Sequence, residues 1–269
     1  MKAILLTLIP VLFFFINSFG QKNMVKFQIG YGLPLTPTHS LIGPTTQINA
    51  TTTTSTGAYG SYGSGLRLEA GYIRALSEHI YLEMDFTYLI GKPIKSTYSG
   101  NGVMRDQSSA SSFYEFSPLL RVNIGGNKIK PYAAIDPVFG MGTINETYKI
   151  TFTGTTNSSE VQQEYGGSLA VGAKSAVGAE LTQGKFTFYT QLTLIAMSYS
   201  PNKAEYTKYT YNGTDQLSTL TTSQIKTVYK NSVTTANNGG NDPNKPTEEL
   251  KFFIPYSNIS LNCGVMFKF

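Results

Sequence analysis

Apolar and polar residues alternate along most of this chain with a period of two. From Ile80 to Ile90, for example, apolar side chains at the even positions alternate with Glu83, Asp85 and Thr87. A period of two puts alternate side chains on opposite faces of a β-strand. No segment after residue 20 carries a convincing helical repeat, so the pattern predicts an all-β protein.

Eight segments alternate in this way, and each is about ten residues long. They are 25–31, 65–72, 80–90, 114–124, 133–142, 168–181, 186–194 and 259–269. A strand that crosses a bilayer needs about 9–11 residues. The connections after the second, fourth and sixth segments are short. The others, at 33–63, 91–112, 145–165 and 199–250, are long and rich in Thr, Ser, Asn and Gly.

Short connections on one side and long ones on the other are typical of outer-membrane barrels. We therefore predict an eight-stranded antiparallel up-and-down transmembrane β-barrel with long extracellular loops and short periplasmic turns. Within the last loop, Asn212-Gly213 predicts the turn of a hairpin that stands above the membrane. The third loop, "TYKITFTGTTNSSE" at 147–160, indicates a similar extension of the fifth and sixth strands. Pro118 and Pro137 interrupt neighbouring strands and predict a bulge or local strain in the wall.

The composition of the polar face distinguishes a barrel in lipid from a barrel in water. A soluble barrel would present Lys, Glu and Asp to water, whereas this face is mostly Gly, Ser, Ala, Thr and Gln with a few charges of both signs. That composition favours a cramped interior, and the uninterrupted Phe, Tyr and Leu of the other face suit hydrocarbon. The charges predicted to point into the lumen are Arg67, Glu69, Glu83, Asp85, Glu115, Arg121, Asp136, Lys174 and Glu180.

Isolated charges inside a barrel would be very costly, so we expect these side chains to pair. The favoured interpretation is a salt-bridged plug without a through-channel, and the alternative is a narrow gated pore. Charged residues are only 14% of the 269, the net charge is +5, and no cluster of Lys and Arg indicates a nucleic-acid partner.

Candidate chemistry is sparse in this chain. A single cysteine, Cys263, excludes an intrachain disulfide and a cysteine-based metal site, and there are only two histidines. No nucleotide-binding loop is present. The sequence therefore predicts no metal, no cofactor and no enzymatic activity.

Residues 1–20 have the features of a targeting segment. Lys2 precedes an apolar run, Ala3 to Ile16, that is too short to span a bilayer, and Ser18 and Gly20 are small residues before a cleavage position. We expect a signal peptide at 1–20 and one outer-membrane β-barrel domain at 21–269.

The final stretch, "NCGVMFKF", resembles the β-signal of Gram-negative outer-membrane proteins, with Asn262, Gly264, Phe267 and Phe269 at its fixed positions. With "RLEAGY", "KPYAAIDPVFG" and "AVGAE", the chain resembles the small eight-stranded barrels of the OmpA membrane-domain and OmpX type. The resemblance implies the cell outer membrane, periplasmic termini, and the barrel-assembly machinery as a partner during insertion. Loss of Phe269 is then expected to impair insertion.

The function expected of such a chain is non-catalytic: a structural or surface-interaction role, in which the outer loops meet lipopolysaccharide or an unknown extracellular ligand. Lys92, Lys95, Arg105 and Lys203 are the loop cations that would meet lipid phosphates. One alternative is a lipid A-modifying enzyme centred on His39 beside Ser40. Another is a small pore or a secretion-machinery subunit.

Overall fold

A computed structural model describes residues 23–35, 38–39, 41, 43–49, 51–125, 128–234 and 242–269. The predicted signal peptide at 1–20 therefore lies outside the described residues. No described helix is long and apolar enough to cross a membrane.

Eight antiparallel strands close into a barrel. Their bounds are β1 Asn23–Pro34, β2 Gly65–Ala75, β3 Ile80–Gly91, β4 Val103–Asn123, β5 Ile129–Phe152, β6 Ala170–Gln183, β7 Phe186–Tyr199 and β8 Asn258–Lys268. Each strand pairs with its neighbours in sequence, and β8 pairs with β1, for example Ile29 with Cys263. Closure leaves the barrel wall without a free edge. The prediction of an all-β, eight-stranded antiparallel barrel is confirmed.

We call the end of the barrel with the connections 76–79, 124–128 and 184–185 its lower end. At the upper end β4 and β5 continue well beyond the barrel, to lengths of 21 and 24 residues. The predicted loops 91–112 and 145–165 are therefore largely strand, and at 147–160 this agrees with the extension of the fifth and sixth strands expected there.

Seven short strands extend these long strands sideways into a sheet, which we call the crown. It comprises residues 103–112 of β4 and 143–152 of β5 together with Thr45–Ile48, Thr53–Thr56, Ile94–Gly100, Ser158–Gly166, Lys203–Tyr211, Lys226–Lys230 and Thr247–Leu250. The remaining short elements are Thr38–His39, Tyr59–Gly60, Thr214–Asp215, Ile254–Pro255, the 3-10 turn Leu217–Thr219 and the helix α1, Thr222–Ile225.

The predicted hairpin at Asn212-Gly213 belongs to this crown. Both residues have positive φ, 49° and 79°, as a tight two-residue turn requires. The strand before the turn pairs along its length with Ser158–Gly166, so the hairpin does not stand alone.

The types of residue on the inward and outward faces of the strands change between the lower barrel and the crown. The lower part of β7 directs Phe188 and Leu192 outward and Gln191 inward, whereas its upper end buries Ile195 and Tyr199. On the outward side of β5, Ile135 and Met141 are followed above by Asn145 and Lys149, which are also exposed. The outward side of β5 is thus apolar below this level and polar above it.

The interior has three layers. An apolar cluster of Ile73, Tyr132, Tyr189 and Met266 fills the lower end. Charged side chains occupy the middle. Above them, a larger apolar core includes Phe113, Ile195 and Tyr199 and the inward-directed Tyr62 and Tyr256 of the upper connections. The ring of Phe113 lies 4.4 Å from that of Tyr256 and 5.0 Å from that of Tyr199.

The two prolines interrupt the β4–β5 ladder without a bulge. Pairing is lost around Pro118 and Pro137, because neither has an N–H to donate. The register nevertheless continues unchanged, with Leu120 opposite Ile135 and Phe116 opposite Phe139. No residue is inserted, so of the predicted bulge or local strain, the bulge is wrong.

Candidate functional site

The charged layer of the lumen is organised around Lys26, which projects from β1. Its Nζ lies 2.7 Å from Asp85 Oδ2, 2.8 Å from Glu83 Oε2 and 3.1 Å from Glu69 Oε1. From β6, Lys174 Nζ reaches Glu69 Oε2 at 3.2 Å and Asp85 Oδ2 at 3.4 Å. Two ammonium groups therefore share the same carboxylates, and the Thr87 hydroxyl donates to Glu69 at 2.9 Å.

A second branch of the network surrounds Arg121 on β4. Its guanidinium donates to Glu83 at 3.0 Å and to Glu180, and Asn123 links the Arg121 Nε to the same Glu180 carboxylate. The guanidinium carbon lies 3.9 Å from the ring centroid of Tyr132, which is close enough for a cation–π contact. This branch connects the charged layer to the lower apolar cluster.

The third part of the network is the Arg67–Glu115 pair, which lies directly below the upper core. Asp136 stands opposite Lys174 across the β5–β6 ladder. The structure thus places all the predicted lumen charges, Arg67, Glu69, Glu83, Asp85, Glu115, Arg121, Asp136, Lys174 and Glu180, inside the barrel, where each is less than a tenth exposed.

The predicted network does not include Lys26, although Lys26 makes the most ion pairs of any described lumen residue. The signal is present in the sequence, because Val25, Phe27 and Ile29 alternate around it. With Lys26 the layer contains four cations and six carboxylates. Unpaired atoms remain, including Arg67 Nη1 and Asp85 Oδ1.

The residues of the β-signal have distinct positions on β8. Asn262 is buried and donates to the Thr193 hydroxyl at 2.9 Å. A Cβ on Gly264 would lie 2.5 Å from the Phe27 carbonyl oxygen and from the Tyr189 ring, so the glycine admits that ring. Phe267 faces outward, 5.4 Å from the ring of Phe186, and the Phe269 amide donates to Asn23 at 3.2 Å.

The loop cations predicted to meet lipid phosphates lie in or beside the crown. Lys92, Lys95 and Lys203 are exposed, while Arg105 lies over the ring of Tyr98 at 5.9 Å. Their role stays a prediction.

Of the site proposed for the enzymatic alternative, the structure describes only the backbone of His39. The backbone of His39 pairs with Tyr59 in a two-residue ladder, and Ser40 lies outside the described residues. Among the described residues, no group of three His, Cys, Asp or Glu side chains is placed to hold a metal ion.

Comparison with known proteins adds no family assignment. No family model matches the chain, and no curated protein matches it either.

Proposed function

We propose that this chain is an outer-membrane β-barrel protein of the small OmpA-like and OmpX-like kind, with a closed lumen and a crown that serves as an interaction surface outside the cell. The observation that carries the proposal is the apolar outward face of the lower barrel. Ile135, Leu261 and Phe27 are 67%, 63% and 60% exposed. Such a face is unfavourable in water over this extent but suits hydrocarbon.

The inward charges support the same placement. A water-soluble barrel keeps its ionised groups on the outer surface, whereas here the outer surface below the crown is apolar and the charges pair inside. The change from Met141 to Asn145 along the outward side of β5 then marks where the bilayer ends and water begins.

A structural or surface-interaction role fits the lumen better than transport does. The apolar clusters above and below the charged layer separate it from both ends of the barrel. Ions would have to cross two tightly packed layers and break several buried ion pairs. We therefore assign the interaction role to the crown, which would meet lipopolysaccharide or a soluble ligand.

The location can be tested by expressing the full chain in a Gram-negative host. We expect it in the outer-membrane fraction, with faster gel migration before heating than after it, as folded barrels show. The purified protein should give flat current records in planar bilayers. Recovery from the soluble periplasm would overturn the membrane placement, and stepwise conductance would overturn the closed lumen.

The orientation needs a matched pair of cysteine variants in a Cys263→Ser background. Thr54 lies on an exposed crown strand and Glu78 lies in an exposed lower turn. A maleimide that cannot cross membranes should label Thr54→Cys on intact cells and should label Glu78→Cys only after lysis. The reverse pattern would place the crown in the periplasm.

A further inference from the structure

A carboxylate is buried inside the crown, away from the charged layer of the lumen. Glu146, on the inner face of β5, is 1% exposed. Its two oxygens accept hydrogen bonds from Gln107 Nε2 at 2.7 Å and from the Tyr165 hydroxyl at 2.9 Å. Among the described residues, no Lys or Arg nitrogen lies within 4.0 Å of it. A buried carboxylate with only neutral donors lacks the countercharge that usually accompanies it.

Four tyrosines surround this carboxylate. The Tyr165 hydroxyl donates a hydrogen bond to Glu146, and Tyr148, Tyr206 and Tyr229 are near enough for the negative charge of Glu146 to act on them. The strand register places Gln163 opposite Glu146 on one side and opposite Tyr206 on the other. The carboxylate and the aromatic rings therefore belong to one continuous inner surface.

The phenols keep their protons in this environment. Burial, and after it the negative charge of Glu146, raises the pKa of Tyr148 and of Tyr165. Neutral phenols can donate to the carboxylate and present electron-rich ring faces, which attract cations.

Three paired lysines of the crown lie on the opposite side of the sheet from this inner surface. Lys208, Lys226 and Lys230 project from the opposite face of the sheet. There they pair with Glu160 at 2.9 Å, with Glu205 at 3.2 Å and with Glu248. Arg105 lies on the inner face farther up β4, but it lies over the Tyr98 ring. Glu249, opposite Tyr229, adds a second negative charge to the same side as Glu146.

We propose that the inner face of the crown binds an organic ammonium ion, with Glu146 as the countercharge and the rings of Tyr148 and Tyr206 as its walls. The inference deepens the proposed function and rests on it for the source of the ligand, which would come from outside the cell. Tyr148 and Tyr206 are only half-buried, so a ligand can reach their rings while Glu146 lies beneath them.

An organic cation fits this surface better than a metal ion does. Both Glu146 oxygens already accept hydrogen bonds, and hard cations such as Ca²⁺ take six or more oxygen ligands. An alkylammonium ion needs no direct coordination, because it can lie against ring faces with a carboxylate in the next layer.

The test is calorimetric titration of the purified full chain, folded in a non-ionic maltoside detergent that contains no ammonium group. The probe is tetramethylammonium chloride at constant ionic strength, and neopentyl alcohol is the neutral molecule of similar shape. We expect saturable binding of tetramethylammonium and none of the alcohol. Absence of saturable binding, or equal binding of both, would overturn the proposal.

Variants identify the site. Glu146→Gln keeps an acceptor but removes the charge, and we expect it to weaken binding at least about tenfold. Tyr206→Leu should weaken it about two- to fivefold, whereas Tyr206→Phe retains the ring and should bind normally. Glu160→Gln, on the outer face of the same sheet, is the control and should leave affinity unchanged.

The two Tyr206 variants keep the test decisive if Glu146→Gln does not fold, which gel migration before and after heating would show. Equal affinity in Tyr206→Leu and Tyr206→Phe, or a loss in Glu160→Gln as large as in Glu146→Gln, would contradict the assigned site. Because the titration uses purified protein, a negative result rejects the ammonium site without bearing on the membrane location. Fractionation tests that location by itself.

Discussion

Strand β7 buries Thr187, Gln191 and Thr193 in its lower part, but Ile195 and Tyr199 at its upper end. The same contrast separates the lower barrel from the crown as a whole. Below, apolar side chains face outward, and the interior holds a layer of paired charges between two apolar clusters. Above, Lys and Glu face outward and an apolar core fills the inside. One continuous sheet therefore carries two opposite arrangements.

On the proposed membrane placement, this difference follows from the medium outside each part of the sheet. In water, burial of apolar surface stabilises a fold, so the crown resembles an ordinary soluble domain. In hydrocarbon that driving force is absent, and polar groups must find partners inside the barrel. Four changes test this contrast, from the largest expected effect to the smallest.

Removing Lys26 should have the largest effect. Lys26→Met leaves Glu69, Glu83 and Asp85 without their shared ammonium group, and we expect a loss of about 3–5 kcal/mol in the free energy of unfolding. Denaturant unfolding in detergent, followed by gel migration without heating, measures it. The control is Lys208→Met, which breaks the exposed pair with Glu160 and should cost less than about 1 kcal/mol. Equal losses in both variants would contradict the contrast between buried and solvated pairs.

A lysine on the outward face should distinguish the two media along one strand. Ile135→Lys places a charge in the apolar belt, and we expect a loss of about 2–4 kcal/mol if that belt lies in lipid. Asn145→Lys, ten positions farther along the same side of β5, should be close to neutral. Unfolding in lipid vesicles measures both. Equal tolerance of the two lysines would indicate that water surrounds the lower barrel as well.

The barrel was predictable from the sequence because its signal is local. Alternation in segments such as 80–90 fixes which residues face outward, and the short connections fix the pairing of neighbouring strands. The same alternation places Arg121 and Glu83 inside. Which cation meets which carboxylate depends on the register of several strands, and the omission of Lys26 shows that limit.

The crown was predictable only in part, because the hairpin at Asn212-Gly213 and the extension at 147–160 were expected but the pairing that joins them into one sheet was not. Residues 103–112 and 143–152 are rich in Ser, Thr and charged side chains, so their alternation resembles that of a polar loop. Their strand structure depends on partners distant in sequence, such as Ser158–Gly166 pairing with Lys203–Tyr211. The residues around Glu146 are brought together by that pairing, so no short sequence motif predicts this site.

A smaller effect is expected at Gly264 of β8, where the ring of Tyr189 from the neighbouring strand β7 packs closely against the backbone. A Cβ would lie 2.5 Å from the Tyr189 ring and from the Phe27 carbonyl oxygen, so Gly264→Ala must displace a ring or the backbone. We expect a loss of about 1–3 kcal/mol. Cys263→Ala changes the preceding residue, which faces outward and is exposed, and it should leave the free energy of unfolding nearly unchanged. The same unfolding assay compares them, and an unaffected Gly264→Ala would show that the wall adjusts more freely than its packing suggests.

The smallest effect belongs to the outer face of the crown. Hydrogen bonds from Lys208 and Gln162 hold the pKa of Glu160 below its ordinary value of 4.5. Because the folded state favours the ionised form, the pair stabilises the crown at neutral pH, and its contribution disappears as the pH falls through the lowered pKa. Glu160→Gln should therefore speed hydrogen exchange in Ser158–Gly166 slightly at neutral pH, by an amount equivalent to about 0.2–1 kcal/mol, and the difference from the unaltered protein should shrink as the pH falls through the lowered pKa of Glu160. A neutral-pH effect as large as that of Lys26→Met would mean that this face is shielded from water like the lumen, which would remove the distinction between the two halves of the sheet.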